Sequence, residues 1–276
     1  MVDDSRSESA QIEDLLGIVR RLRDPDQGCP WDVSQTFRSI VPHTLEEAYE
    51  LADAIESNDF DQMKEEAGDV LFQVLLYAQM ADEQQRFNFG DVVDGLSKKL
   101  IRRHPHVFLR NADAQYQEPI TASDVSDSWE RLKRDERQQK RQAGILDDVP
   151  LNLPALTRAQ KIQKRASRVG FDWTDVAGVF EKLEEELCEL KDALVEKEEA
   201  AINSELGDVL FCVVNLARHL GFDAETAMRG ATQKFEGRFR LMEARAIDAG
   251  SRLEDENSSA LEARWQAAKR ERSPVE

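Results

Sequence analysis

The chain has 276 residues, more than one typical domain, and 37 basic against 55 acidic residues give it a net charge of −18. That balance disfavours a broad nucleic-acid surface, which needs a basic stripe to neutralise phosphates, yet it allows a small phosphorylated ligand bound through a divalent ion and a few Lys or Arg residues. Hydrophobic residues at 41% supply a core. The apolar stretches, such as residues 70–81, fall short of the roughly 20 residues of a membrane span, and the acidic start lacks an export signal, so we expect a cytoplasmic protein with neither membrane nor nucleic-acid partner. Cys29, Cys188 and Cys212 lie far apart without a C-x-x-C pair, which argues against a zinc site or a disulfide framework.

In chain order, Ile12, Leu15, Leu16, Val19 and Leu22 recur at steps of three and four and predict an amphipathic helix, stopped by Asp24, Pro25 and Gly28. Thr44, with Glu47 three residues on, reads as the capping box of a helix over 45–55. Asn58 and Asp59 precede a helix over 60–83, and another over 89–103 ends before Pro105. The segment 111–126 is polar and irregular; a charged helix with Trp129 and Lys133 follows, and we place a domain boundary near 142–153. The second half repeats these events: helices over 155–169, 176–198, 200–220 and 224–249, then a polar stretch and a short helix with Trp265 and Lys269. No run alternates like a strand. The expected fold is all-α, two tandem four-helix-bundle-like repeats at 1–142 and 153–276.

One acidic constellation is written twice. Glu46, Glu47, Glu50, Glu66 and Asp69 return as Glu185, Glu186, Glu189, Glu205 and Asp208, each displaced by 139 residues, from 46 to 185 through 69 to 208. A spacing of three puts two carboxylates on one helix face, so two such helices side by side present four. Oxygen donors of this kind suit magnesium or manganese, and without a cation they repel one another. A solvated acidic face explains one copy readily and two registered copies poorly. Gly68 and Gly207 each stand one residue before the Asp; in a segment that favours helix, such a glycine suggests close approach of a ligand or a packed neighbouring helix. Lys99 and Arg103 follow the first cluster and Lys234 and Arg238 the second, each pair spaced by four. They could grip phosphate oxygens or be exposed surface pairs, while Trp129 and Trp265 could stack on a base or simply pack. His43, His104, His106 and His219 read as capping or packing residues.

The doubled E-E-x-x-E and E-x-x-D pattern, Arg21-Leu-Arg-Asp-Pro25 with Gly28-Cys-Pro-Trp-Asp32, Arg102-Arg-His-Pro-His-Val-Phe108, and Arg158-Ala-Gln-Lys-Ile-Gln-Lys164 with Gly170-Phe-Asp-Trp173 together resemble the MazG family of nucleoside triphosphate pyrophosphohydrolases over nearly the whole chain. The resemblance implies an all-α fold, usually dimeric, that with magnesium splits a nucleoside triphosphate between its α and β phosphates into a monophosphate and pyrophosphate, clearing unwanted nucleotides. It implies a C-terminal repeat that is the principal catalytic domain and an N-terminal repeat that serves assembly with weak or no activity. On this sequence the metal ligands would be Glu186, Glu189, Glu205 and Asp208, with Glu185 beside them near the attacking water. Lys234, Arg238 and Trp265 would bind nucleotide, with Lys182 and Lys269 as further contacts. Gly237 departs from the family, whose members often carry arginine there. Glu47, Glu50, Glu66 and Asp69 form the second candidate site. A non-catalytic nucleotide-binding regulatory or assembly protein is the alternative, and a di-iron bundle would need E-x-x-H pairs that neither half supplies.

Overall fold

The computed structural model describes residues 8–108, 121, 124–125, 144–147 and 149–271. Among these the ordered elements are helices and no strand occurs. The chain divides into two compact units, Met1–Lys133 and Arg134–Glu276. Trp129 and Lys133 lie outside the described residues, as does most of 111–126.

In the first unit, α1 (Glu8–Leu22), α2 (Pro30–Ser34), α3 (Phe37–Glu56), α4 (Phe60–Glu83), α5 (Phe89–Arg103) and α6 (Pro105–Phe108) follow in order. The main packing is the α3–α4 hairpin, with α1 laid against α4. Val19, Ile40, Leu75, Leu76 and Met80 form its buried centre, and Leu15, Leu16, Phe37, Phe72 and Phe89 close around it. Burying such side chains is the main stabilising contribution, at about 25 cal/mol per Å² of apolar surface. The expected start of α3 at Thr44 is corrected: the helix begins at Phe37, because Thr36 and Ser39 make the capping box. Their reciprocal bonds, Ser39 N to Thr36 Oγ1 and Thr36 N to Ser39 Oγ, are 3.2 and 2.9 Å. Thr44 instead donates to the Ile40 carbonyl at 3.1 Å and lies 2.9 Å from the Tyr77 hydroxyl, linking α3 to α4. Pro42 sits inside α3, where it removes one backbone donor.

The second unit contains α7 (Ala155–Ser167), α8 (Val176–Glu196), α9 (Glu199–His219), α10 (Ala224–Asp248) and α11 (Ser258–Arg270). Here α8 and α9 form the hairpin, α7 packs on α9 and α10, and α11 on α10. The Arg158–Lys164 motif is largely cross-linking: Gln160 Nε2 donates to Phe222 O at 2.9 Å, Gln160 Oε1 accepts from Ala224 N at 2.8 Å, and Gln163 Nε2 donates to Phe211 O at 2.8 Å. Before α8, Gly170 turns the chain with φ +86°. Trp173 then lies against Gly178 so closely that a Cβ there would fall 2.5 Å from the indole, so this glycine is required by packing.

His219 is no simple core residue, because its Nε2 lies 2.9 Å from Asp172 Oδ1, which Arg218 also contacts at 2.5 Å. Burial works against ionisation of Asp172, yet these hydrogen bonds outweigh it and hold the carboxyl low. Many large apolar side chains remain exposed, among them Val41, Leu45 and Tyr49 along α3 and Leu206, Leu210 and Val213 along α9. By length and composition α9 is apolar enough to cross a membrane, with a mean hydropathy of 1.3 in a window only 17% buried.

Candidate functional site: two carboxylate clusters on paired helices

Each hairpin carries one acidic cluster, and the antiparallel pairing produces it. In the second unit Glu186 of α8 meets Glu205 and Asp208 of α9, with a carboxylate oxygen from each lying within 4.8 Å of the others. In the first unit Glu47 of α3 meets Glu66 and Asp69 of α4 by the same criterion. Glu50 and Glu189, one turn further along α3 and α8, stand outside these tight triads but still act on them electrostatically. Burial, then Asp69, Glu50, Glu66 and Glu46, pushes the Glu47 carboxyl above its ordinary value. Glu205 is likewise raised by burial, then by Glu189, Asp208 and Glu186. Carboxylates that crowd and desolvate one another resist ionisation unless positive charge offsets them.

Positive charge is present in the second cluster. Lys182, one turn before Glu186 on α8, places Nζ 2.8 Å from both Glu185 Oε1 and Glu186 Oε1. These bonds, Glu185 first, raise the ammonium pKa, so it stays charged throughout the neutral range. Glu186 itself is buried, at 6% exposure. At the position of Lys182 the first half has His43, with Nδ1 3.5 Å from Glu46 and its ring edge-on to Trp31. The place one turn after the Asp is not tied to the clusters by the sequence, in which Cys212 reads only as an isolated thiol and Gln73 is passed over. Cys212 is buried there and burial, then Glu186, raises its thiol pKa; the first half has Gln73, buried with Oε1 unpartnered. A spacing of four from Asp208 and Asp69 was the signal that could have found both.

The three hard-oxygen donors of each triad fit a magnesium-sized cation better than a soft metal, and Cys212 lies outside the donor group. Gly68 and Gly207 do not mark tight helix packing, since a Cβ at either would meet nothing within 4 Å.

The expected nucleotide contacts gather elsewhere in the second unit. Trp265 of α11 lies against Phe235 of α10 with ring centroids 5.2 Å apart. Above its ring stand the Arg238 guanidinium, 6.0 Å from the centroid, and the Lys269 ammonium at 5.5 Å. Arg238 Nε is buried without a partner, and Lys234 is exposed one turn before Arg238. Among the described residues no hydrogen bond or ion pair joins this group to the acidic cluster. Phe235 was absent from the sequence reading, although it neighbours Lys234.

A family profile described as the MazG nucleotide pyrophosphohydrolase domain matches residues 35–108 and 175–240. The chain belongs to the MazG family. Both acidic clusters, Lys99, Arg103, Lys234 and Arg238 fall within the two matched MazG segments, whereas Trp265 and Lys269 lie beyond the second. The chain is 49% identical over 265 residues to a nucleoside triphosphate pyrophosphohydrolase of Escherichia coli, covering 95% of this chain and 98% of that protein. It is 45% identical over 258 residues to the "nucleoside triphosphate pyrophosphohydrolase/pyrophosphatase MazG" of Thermotoga maritima, covering 94% and 95%. An uncharacterised Bacillus subtilis protein, YabN, is 42% identical over 260 residues, which are 94% of this chain but 52% of that one.

Proposed function

We propose that this chain is a nucleoside triphosphate pyrophosphohydrolase, with NTPs and dNTPs as substrates and hydrolysis between the α and β phosphates to a nucleoside monophosphate and pyrophosphate. The observation that carries the reading is the triad Glu186, Glu205 and Asp208, brought within 4.8 Å from facing helices, in a chain similar along almost its full length to proteins named for that activity. A bound divalent cation, magnesium or in its place manganese, would neutralise phosphate charge and acidify a water. Glu186, Glu205 and Asp208 would hold it, with Glu189 one turn beyond.

The remaining work falls to the chain's own side chains. Lys182 bonds Glu185 and Glu186 and so orients them, and its ammonium would meet an incoming phosphate oxygen. Glu185, more exposed than Glu186, is placed to accept a proton from attacking water. Arg238, with an unpartnered Nε, and Lys234 offer donors to phosphate oxygens, Arg in fork geometry. Trp265 presents an amphipathic ring to a base, flanked by Lys269. Charge held in fixed positions, with no covalent nucleophile, is the expected source of acceleration.

We assign principal activity to the second half, because there Lys182 bonds two of the cluster's carboxylates, a pairing the first cluster lacks among the described residues, and assembly to the first. The exposed apolar rows on α3 and α9 support a homodimer, and the same need for cover explains the apolar character of α9 without a membrane. Pyrophosphate release from a panel of NTPs and dNTPs with magnesium tests the activity; no release from any nucleotide refutes it. Sedimentation of the purified chain tests the dimer, and a monomer at all concentrations refutes that.

A further inference from the structure

Helix α11 packs chiefly on α10. The apolar part of this junction comprises the buried Ala268, Ala246 and Met242 and the half-buried Trp265 ring against Phe235. A second hold acts beside that packing.

That second hold is a polar network at the turn between the helices. Arg264 delivers Nε and Nη2 to the Glu256 carboxylate at 2.7 and 2.6 Å, a two-pronged grip. Arg264 Nη2 also donates to Ser251 Oγ at 3.1 Å. The Ser251 hydroxyl lies 2.9 Å from Glu256 Oε1 and 3.2 Å from the carbonyl of Ala246 in the last turns of α10. The network thus ties the end of α10, the connecting turn and the middle of α11 into one unit. It is no ordinary surface pair: the Glu256 side chain is 12% exposed and that of Arg264 24%. Charge-assisted bidentate bonds in a sheltered place hold geometry as well as supplying energy. Trp265 is the next residue after Arg264, and its ring is the one that meets Phe235, Arg238 and Lys269.

We propose that Ser251, Glu256 and Arg264 form a latch that positions Trp265 for nucleotide binding, although none of the three touches the ligand. The inference rests on the nucleotide-binding reading of Trp265 given above. With the latch intact the indole and the two cations stand ready before the ligand arrives. Without it the ordering cost of α11 falls on the binding step, which weakens affinity and leaves the chemistry at the carboxylates, none of which the latch touches, alone.

The test is a double-mutant cycle between Glu256 and Trp265 in the full chain, read on binding of the magnesium complex of α,β-methylene ATP by calorimetry. Glu256→Gln is expected to weaken binding about three- to tenfold, the loss of roughly one ordered side chain's worth of preorganisation. In a Trp265→Ala background the same change should have no further effect. With a cleavable NTP, Glu256→Gln should raise KM by the same factor and leave kcat within about twofold. The exchanged pair Glu256→Arg with Arg264→Glu should restore most of the loss, and Ser251→Ala, a milder change, should give a smaller loss of the same kind.

Additive effects of Glu256→Gln and Trp265→Ala, a fall in kcat at unchanged KM, or unchanged binding in Glu256→Gln would each overturn the latch. Should Glu256→Gln unfold, Ser251→Ala carries the same cycle, and the same results uphold or overturn the latch. Pyrophosphate release by the unaltered chain is scored separately, so absent turnover refutes the activity while the binding cycle still decides the latch. No binding of the analogue by the unaltered chain would overturn both.

Discussion

The two hairpins use the same backbone plan with different neighbours around their acids. In α8–α9 a lysine stands one turn before the central glutamate and bonds to two carboxylates; in α3–α4 that place belongs to His43, which reaches only Glu46 and at 3.5 Å. The carboxyl that burial and crowding push up is accordingly a different one in each half, Glu47 in the first and Glu205 in the second. Beneath the acids the first half buries an amide, Gln73, and the second a thiol, Cys212. Nearby, Gln160 bridges α7 to the start of α10, whereas the first half has a cavity of about 300 Å³ lined by Leu16, Val19, Arg20 and the start of α5. The plainest difference between the two acid groups is therefore one side chain, Lys182 in the second and His43 in the first.

The harshest way to break this contrast is to remove carboxylates. Glu186→Ala or Asp208→Ala should cut pyrophosphate release by about a hundredfold or more, the scale of losing a major electrostatic contact in a site. Glu47→Ala or Asp69→Ala should leave release within about twofold, and equal losses from both sets would end the assignment to the second half. Next in size is the cation itself. Lys182→His copies the first half into the second and should lower kcat/KM about tenfold, as expected for one charge-assisted bond. The reciprocal His43→Lys should leave turnover unchanged; a gain would mean that the first cluster needs only a lysine to work.

Acidity offers a third probe. Glu47 and Glu205 have raised pKa values in the folded chain, so the folded state holds protons there that the unfolded chain has released. Metal-free stability therefore falls as pH rises from the ordinary glutamate value through the raised ones. Magnesium, which needs both groups ionised, should lift the melting temperature most above that window and progressively less as pH falls through it. A magnesium-induced shift that does not vary with pH would refute the crowding account. Asp172, Glu83 and Glu256 are shifted the other way, and their support is lost only at lower pH.

The smallest effects concern the backbone. Gly207 and Gly68 face open space, so Gly207→Ala should stabilise the fold by about 1 kcal/mol through helix propensity. A rise in KM in the same variant would show that a ligand approaches that backbone. At the hairpin turns, Asn58 and Lys197 both adopt left-handed conformations, φ 56° and 60°. Asn adopts that region at less cost than Lys, so Lys197→Asn should add about 0.5–1 kcal/mol to the unfolding free energy.

Much of this was legible in the residues because helical period and registered acids are local signals. The bounds of α4 and α5 follow from Asp59, Asn88 and Pro105, side chains that cap or stop a helix by their own chemistry. The start of α3 is hidden because Thr44 has a capping pattern on paper, while its hydroxyl is taken by Ile40 and Tyr77, the latter a partner 33 residues away that no local window contains. The same holds for His219, whose role depends on Asp172, and for Phe235 under Trp265. Spacing placed the carboxylates on shared faces, but only the pairing of two helices separates the triads from Glu50 and Glu189.

A chain that contains the same acidic hairpin twice runs the risk of pairing α3 with α9, or α8 with α4, while it folds. The tight turns at Asn58 and Lys197 counter that risk kinetically. Each joins its two helices across two or three residues, so the correct partner arrives by closing a very short loop, long before a helix 92 residues (84–175) or 142 residues (57–198) further along the chain can compete.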